Sequence, residues 1–193
     1  ARLPWDGAFR TLHSLRLLST LLQGLTLIGA WALARRATSH PTVPLLVTAF
    51  VGLNPQFLMV AAGVNNDNAV VPLATWGLVL ALDLWQRGPS VLRIVGLGLL
   101  GGLAALSKLS GFGLIGLGGL VLLIEGISAR RPLTKIAAHG LLLLAPALLL
   151  VTPWLWRNQQ LYGDPTALAP MLEEVGVRST GVSLGEAWLM VRS

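Results

Sequence analysis

The stretch that decides the fold runs VPLLVTAFVGLNPQFLMVAAG (residues 43–63), VNNDN (residues 64–68) and AVVPLATWGLVLALDLW (residues 69–85). Two apolar runs flank four consecutive polar residues, Asn65, Asn66, Asp67 and Asn68, which we call the polar segment. A bilayer core of ~30 Å needs about 20 helical residues, so each run has nearly spanning length. Amides and a carboxylate beside hydrocarbon are costly unless they are paired, hydrated or functional. The polar segment is therefore the first candidate for function.

The composition predicts a membrane protein. Of 193 residues, 54% are hydrophobic and only 11% are charged, and the mean hydropathy is +0.71. A soluble domain carries roughly 25% charged residues. The absence of cysteine excludes disulfides and thiolate metal sites. The net charge of +6 comes from small basic groups at the ends of apolar runs rather than from a basic stripe with aromatics, so we expect no nucleic-acid partner.

The apolar runs predict an all-α, polytopic membrane protein with about six transmembrane helices, because barrel strands would alternate in polarity. The spans are predicted at residues 14–34, 43–63, 69–85, 91–106, 111–128 and 136–156. We expect residues 1–13 to end an outer loop, 14–158 to form the transmembrane bundle, and 159–193 to be an outer-face loop with short interfacial helices. The chain begins without Met and ends without a stop-like tail, so we expect a fragment truncated at both ends.

The charges of the connections predict an orientation. The loops after the first, third and fifth spans carry nearly all the loop cations, and positive loops stay in the cytoplasm. The polar segment, Lys108 and residues 157–164 are then expected on the outer face of the inner (plasma) membrane. Arg2, Arg10 and Arg16 argue against this orientation, because they place positive charge on the same outer side.

Several local features have simple structural interpretations. Asn54 and Pro55 predict either a helix kink, with Asn54 bonding the freed carbonyl, or a break that aims polar groups into a cavity. Either Asp67 or Asn68 could cap the third span. The GxxxG of Gly98 and Gly102 predicts close packing of the fourth and fifth spans, or a substrate groove.

Other charged residues are expected to be structural. Asp83 is predicted to pair with Arg87, and Glu125 lies within reach of Arg130. Asp164, in Gly163-Asp164-Pro165, is predicted to be a turn residue.

Lys108 is the most informative cation. It could snorkel to lipid headgroups, or it could bind a phosphate with Ser107, Ser110 and the free amides at the start of the next helix. Arg157 and Asn158 follow the last span on the same expected side and could add a second cation. Together with Asn65, Asn66 and Asp67, these residues form the predicted substrate- and phosphate-binding set. Three scattered histidines predict no metal site.

Four short motifs occur in a characteristic order: Leu53-Asn54-Pro55-Gln56-Phe57, Gly63-Val64-Asn65-Asn66-Asp67, Ala105-Leu106-Ser107-Lys108-Leu109-Ser110-Gly111, and Trp156-Arg157-Asn158 with Tyr162-Gly163-Asp164-Pro165. They resemble bacterial membrane proteins of the C-type glycosyltransferase superfamily, in particular those similar to protein O-mannosyltransferases and aminoarabinose transferases. The resemblance covers roughly residues 15–165.

The resemblance implies transfer of a sugar from a polyprenyl-phosphate donor to an acceptor on the outer face. Such enzymes use a carboxylate of the first outer loop as base, which is expected before Ala1, with Asp6 as a remote candidate. The expected partners are membrane lipids and the polyprenyl-phosphate-linked sugar. No cofactor is implied, a divalent metal stays open, and the sequence does not specify an oligomer. The alternatives are a transporter or flippase of lipid-linked or small polar substrates, and a non-catalytic scaffold.

Overall fold

The computed structural model describes residues 7–175 and contains, within them, eight α-helices and one short 3₁₀ turn. The helices are α1 (Ala8–Ala37), α2 (Val43–Gly52), α3 (Pro55–Ala62), α4 (Asp67–Arg87), α5 (Val91–Ser107), α6 (Phe112–Ser128), α7 (Leu133–Tyr162) and α8 (Leu168–Val175). The 3₁₀ turn (Leu109–Gly111) joins α5 to α6. The chain forms two compact units that divide after Pro153, within α7, and each is described by itself.

The prediction of an all-α polytopic membrane protein is confirmed. Helix occupies each of the six predicted spans, and four described helices are long and apolar enough to cross a membrane: Phe9–Ala37, Asp67–Arg87, Leu109–Ser128 and Leu133–Tyr162. A fifth span results if α2 and α3 are counted together, and α5 is apolar but shorter. The helix α1 begins at Ala8, earlier than predicted, and α8 is one short helix in the predicted outer-face loop. A second expected interfacial helix, at residues 184–191, lies outside the described residues.

The second predicted span is broken rather than kinked. The helices α2 and α3 meet at an angle of 59°. The carbonyl oxygen of the Asn54 side chain accepts hydrogen bonds from the backbone N–H groups of Gln56 (2.9 Å) and Phe57 (3.4 Å), while Pro55 occupies the first turn of α3. The expectation that Asn54 bonds a carbonyl freed by Pro55 is therefore wrong. Asn54 caps a new helix, because an amide oxygen at this position satisfies the otherwise unbonded donors.

The core of the first unit lies between α4, α5, α6 and α7. Its buried members are Val70, Ala81, Leu84, Ile94, Leu97, Ala104, Leu114, Leu122 and Leu143. The helix α1 packs beside this core against α4 and α2. The indole N–H of Trp76 donates to the Leu25 carbonyl (3.1 Å), and the Gln86 amide donates to the Arg36 carbonyl (2.9 Å). These hydrogen bonds fix α1 against α4 along much of their length.

The ion pairs near the C-terminal ends of α1, α4 and α6 differ in detail from the predictions. Asp83 pairs with Arg87 (3.5 Å) as expected, but it also accepts from Arg36 at 3.1 Å. Glu125 pairs with Arg131 (2.7 Å) rather than with Arg130. The helix α6 ends after Ser128, and Arg130 takes a positive φ of 50°, a turn geometry in which its neighbour Arg131 is the residue that reaches Glu125.

The glycines of α5 allow close packing against two helices, α6 and α7, whereas the sequence predicted close packing with the fifth span alone. A Cβ atom on Gly98 would collide with the Leu143 carbonyl oxygen of α7, and one on Gly102 would lie 3.0 Å from the Cα of Ala147. Gly101 instead faces Ile115 of α6. The GxxxG pair therefore packs against the sixth predicted span, because small residues let helix backbones approach closely.

We predict that Gly98→Ala destabilises the folded protein by about 1–3 kcal/mol, because the added methyl group has to displace the backbone of α7. Gly113→Ala is the matched control, since nothing lies within 4 Å of a Cβ atom there. The control is expected to be neutral or stabilising by about 0.5–1 kcal/mol, as alanine favours a helix over glycine. Thermal unfolding in one detergent measures both, and equal midpoints would refute the assigned contact.

Candidate functional site

The polar segment forms the entry to α4, and its own side chains shape it. Asn66 occupies the N-cap position without a side-chain cap hydrogen bond, and Asp67 is the first helical residue. The capping oxygen comes from Asn65, whose Oδ1 accepts the backbone N–H of Asn68 at 3.1 Å. The interpretation of Asp67 or Asn68 as the cap is thus wrong. Because the side chain of Asn65 accepts the N–H of Asn68, the Asp67 carboxylate is available for another partner.

That partner is Lys108. Its Nζ lies 2.6 Å from Oδ1 of Asp67, although 41 residues separate the two in the chain. The side chains are 43% and 38% exposed, respectively. Exposed ion pairs typically contribute 0–1 kcal/mol, so this pair adds little to stability. Its main consequence is to hold an ammonium group and a carboxylate at one place beside the protein surface.

The turn after α5 determines where Lys108 lies. Lys108 is extended, with φ −159° and ψ 139°, and its backbone N–H donates to Ala104 at 2.9 Å. Gly111 then packs so closely on α5 that a Cβ atom there would collide with the Ala104 backbone. This contact folds the turn tightly against α5 and turns Lys108 towards the start of α4. Ser110 lies exposed in the same turn.

A cleft of about 390 Å³ lies next to Asp67. Its walls come from the bent α2–α3 pair and from α1 and α4, with the lining residues Gln23, Phe50, Val51, Asn54, Gln56, Phe57, Val60, Asp67 and Val71. An adjoining cavity of about 470 Å³ shares Val51, Phe57 and Val71 and is almost wholly apolar. Few polar groups on an apolar wall are typical of ligand sites. The break at Asn54 therefore does place polar groups at a cavity.

Sequence reasoning missed Gln23, which lies at 2% exposure in the middle of α1. Its amide donates to Oδ1 of Asn68, also 2% exposed, at 3.0 Å. A signal was present in the sequence: Ser19, Gln23 and Thr26 recur at helical spacing within an apolar run. Polar residues in such a run commonly hydrogen-bond to another helix.

The remaining predicted residues lie in the second unit. Arg157 is exposed on α7. Asn158 is only 2% exposed, and its amide donates to the Pro165 carbonyl at 3.2 Å, so it holds the turn that follows the helix. Within residues 7–175, no three His, Asp or Glu side chains stand close enough to hold a metal ion.

Asp164 organises the same turn, as the sequence predicts. Its carboxylate accepts the backbone N–H of Ala169 (2.9 Å) and both the hydroxyl (2.8 Å) and the N–H (2.9 Å) of Thr166. These hydrogen bonds, that from Ala169 first, lower the pKa of Asp164 from 3.8 to about 2. They favour the charged form of the Asp164 carboxylate. The hydrogen bond from Ala169 also joins the turn after α7 to the start of α8.

Comparison with known proteins identifies one family. The family model described as dolichyl-phosphate-mannose-protein mannosyltransferase matches residues 9–156, which include the polar segment and Lys108. No curated protein and no solved structure matches the chain.

We predict that Asp67→Asn increases acylation of Lys108 by an amine-reactive reagent about two- to fivefold, the range expected when an exposed ion pair is lost. Lys135 is the only other lysine in the sequence and serves as an internal reference within each molecule. Peptide mass spectrometry gives the ratio of the two modification rates. An unchanged ratio would show that Lys108 and Asp67 are not paired in solution.

We predict that the Asp164 turn persists in acid. A carboxylate whose folded-state pKa is lowered stabilises the fold above its ordinary pKa, here 3.8, and loses this contribution as pH falls through about 2. Amide exchange at Thr166 and Ala169 should therefore stay slow at pH values above 3.8. Asp164→Ala should accelerate exchange at both amides and spare Gly163, which donates to the Gln159 carbonyl. An Asp164 carboxyl that titrates near 3.8 would contradict the assignment.

Proposed function

Because this chain belongs to the dolichyl-phosphate-mannose-protein mannosyltransferase family, we propose that it forms the donor-binding membrane portion of a glycosyltransferase. The reaction is the transfer of a sugar from a polyprenyl-phosphate donor to an acceptor on the outer face of the inner membrane. The observation that supports a site within this chain is the ion pair of Asp67 and Lys108 at the edge of the cleft.

The ion pair is suited to a phosphate group. An ammonium group has three N–H donors, and Asp67 is its one acceptor among the described side chains. The remaining donors can bind phosphate oxygens while Asp67 keeps the flexible lysine in place. Positive charge held beforehand where the leaving phosphate gains charge lowers the barrier to transfer. We assign Lys108 to the phosphate and Asp67 to the positioning of Lys108, with Asn65, Asn66 and Ser110 as neighbouring polar contacts.

The catalytic base is assigned outside the described residues, in the outer loop that the family resemblance implies. A hydroxyl acceptor has to lose its proton as it attacks the sugar, and a carboxylate is the usual base for that step. Arg157 and Asn158 are proposed for the outer face on the sequence alone. Asn158 is the weaker candidate, since its amide is already engaged by the Pro165 carbonyl.

The proposed orientation follows from the charges of the two ends of the helices. The polar segment precedes α4 and Lys108 follows α5, whereas seven basic residues lie at the opposite ends of the helices, in their terminal turns or in the turn between α6 and α7. The latter are Arg35, Arg36, Arg87, Arg93, Arg130, Arg131 and Lys135. Cytoplasmic loops are enriched in such cations, which supports an outer position for the ion pair.

A transporter or flippase is the second candidate, and the broken α2–α3 pair is the observation that favours it. Discontinuous helices and polar side chains at membrane depth are features that transporters share. The two candidates differ in their product. A transferase makes a new glycosidic bond, whereas a transporter moves its substrate across a bilayer unchanged.

We predict that Lys108→Ala lowers the transfer rate of the full-length protein by about tenfold to 10²-fold with polyprenyl-phosphate sugars, because a fixed charge at the leaving phosphate is lost. Lys135→Ala is the matched control, since it removes the other lysine, which lies beyond the opposite end of α6. Radiolabelled sugar incorporated into acceptor measures the rate. Full activity in both Lys108→Ala and Asp67→Asn would refute the assigned roles, and substrate uptake by proteoliposomes without transfer would favour the transporter.

A further inference from the structure

We propose that Gln23 and Asn68 are positioning residues that hold Asp67 against Lys108. Asn68 directly follows Asp67 in the first turn of α4, so whatever fixes Asn68 also fixes the backbone that carries the carboxylate. The role of this ion pair in catalysis rests on the proposed function, whereas its positioning is a property of the fold.

Asn68 is fixed by three hydrogen bonds in three directions. Its Oδ1 accepts from the Gln23 amide of α1 at 3.0 Å, and its Nδ2 donates to the Gly63 carbonyl at the end of α3 at 2.7 Å. Its backbone N–H donates to Asn65 Oδ1 at 3.1 Å. One side chain thus connects α1, α3 and the start of α4. An amide with both its oxygen and its nitrogen engaged has one orientation, which is the property required of a positioning group.

Both polar atoms of the Gln23 side chain are also hydrogen-bonded, as those of Asn68 are. Its Nε2 donates to Asn68, and its Oε1 accepts from the Thr26 hydroxyl, one turn further along α1, at 3.1 Å. Both Gln23 and Asn68 are 2% exposed, so neither has water as an alternative partner. Loss of either amide leaves a buried polar group unsatisfied, and the first turn of α4 has to move to relieve it.

The amide pair is not needed to hold α1 and α4 together. Further along the same interface, Trp76 donates to the Leu25 carbonyl and Gln86 to the Arg36 carbonyl. Arg36 also pairs with Asp83. These contacts lie away from the polar segment, whereas the Gln23–Asn68 hydrogen bond is made next to Asp67. Its specific effect is therefore on the orientation of the polar segment and not on helix association.

The test is the acylation ratio of Lys108 to Lys135 in the ligand-free, full-length protein. Gln23→Met keeps the length of the side chain and removes its hydrogen bonds. We expect it to raise the ratio about two- to fivefold, as Asp67→Asn does, because the ion pair is released. Trp76→Phe removes a different α1–α4 hydrogen bond and is expected to leave the ratio unchanged. Asn65→Ala, an exposed substitution that spares the core, should raise the ratio as well.

Two results would overturn the proposal. One is an unchanged ratio in folded Gln23→Met and in Asn65→Ala while Asp67→Asn raises it. The other is an equal rise in Trp76→Phe, which would indicate general loosening of the interface. The transfer assay supplies the second measurement: positioning predicts that kcat falls in Gln23→Met more than KM rises. A wild-type protein without transfer activity would refute the proposed function, yet the acylation ratios would still decide the positioning role.

Discussion

Every polar side chain that this bundle buries has to find its partner inside the protein, because hydrocarbon offers none. Among residues 7–175, each buried side-chain nitrogen and oxygen has a hydrogen-bond partner. The Gln23–Asn68 hydrogen bond is the instance on which the site depends. It joins two residues that are 45 positions apart in the chain, one in α1 and one in the first turn of α4. In our proposal this contact positions Asp67 for its ion pair with Lys108.

Close backbone approach supplies the second part of the site. Gly111 packs on the Ala104 backbone, and Gly98 packs on the Leu143 carbonyl of α7. Side chains larger than hydrogen would separate these segments, so glycine determines both the turn that carries Lys108 and the packing of α5 against α7. Since a bilayer provides no hydrophobic force between helices, such close contacts contribute much of the association energy. The same glycines therefore serve stability and the placement of the site.

The break at Asn54 links the fold to the cleft. Asn54 follows the end of α2 and caps α3, and the axes of these two helices differ by 59°. The two halves of the predicted span therefore form one wall of the cavity that Asp67 lines. The dipeptide Asn-Pro indicated a discontinuity, because proline cannot donate the helical hydrogen bond. The size of the bend and the presence of a cavity depend on how α2 and α3 lie against α1 and α4.

The sequence by itself determined the class of this protein. Apolar runs of spanning length, low charge and the polar segment were enough to predict an all-α membrane protein. A helix is the structure in which one spanning segment bonds all its own backbone polar groups, and hydrocarbon offers them no other partner. Asp67 and Lys108 could also be selected, because each is a solitary charge at the end of an apolar run. The tertiary structure alone decided which groups meet. The capping by Asn65 and the choice of Arg131 over Arg130 depend on the backbone conformation of the turns that carry them, and the burial of Gln23 against Asn68 depends on the packing of α1 against α4. Residue spacing along the chain specifies neither the conformation of a turn nor the packing between distant segments.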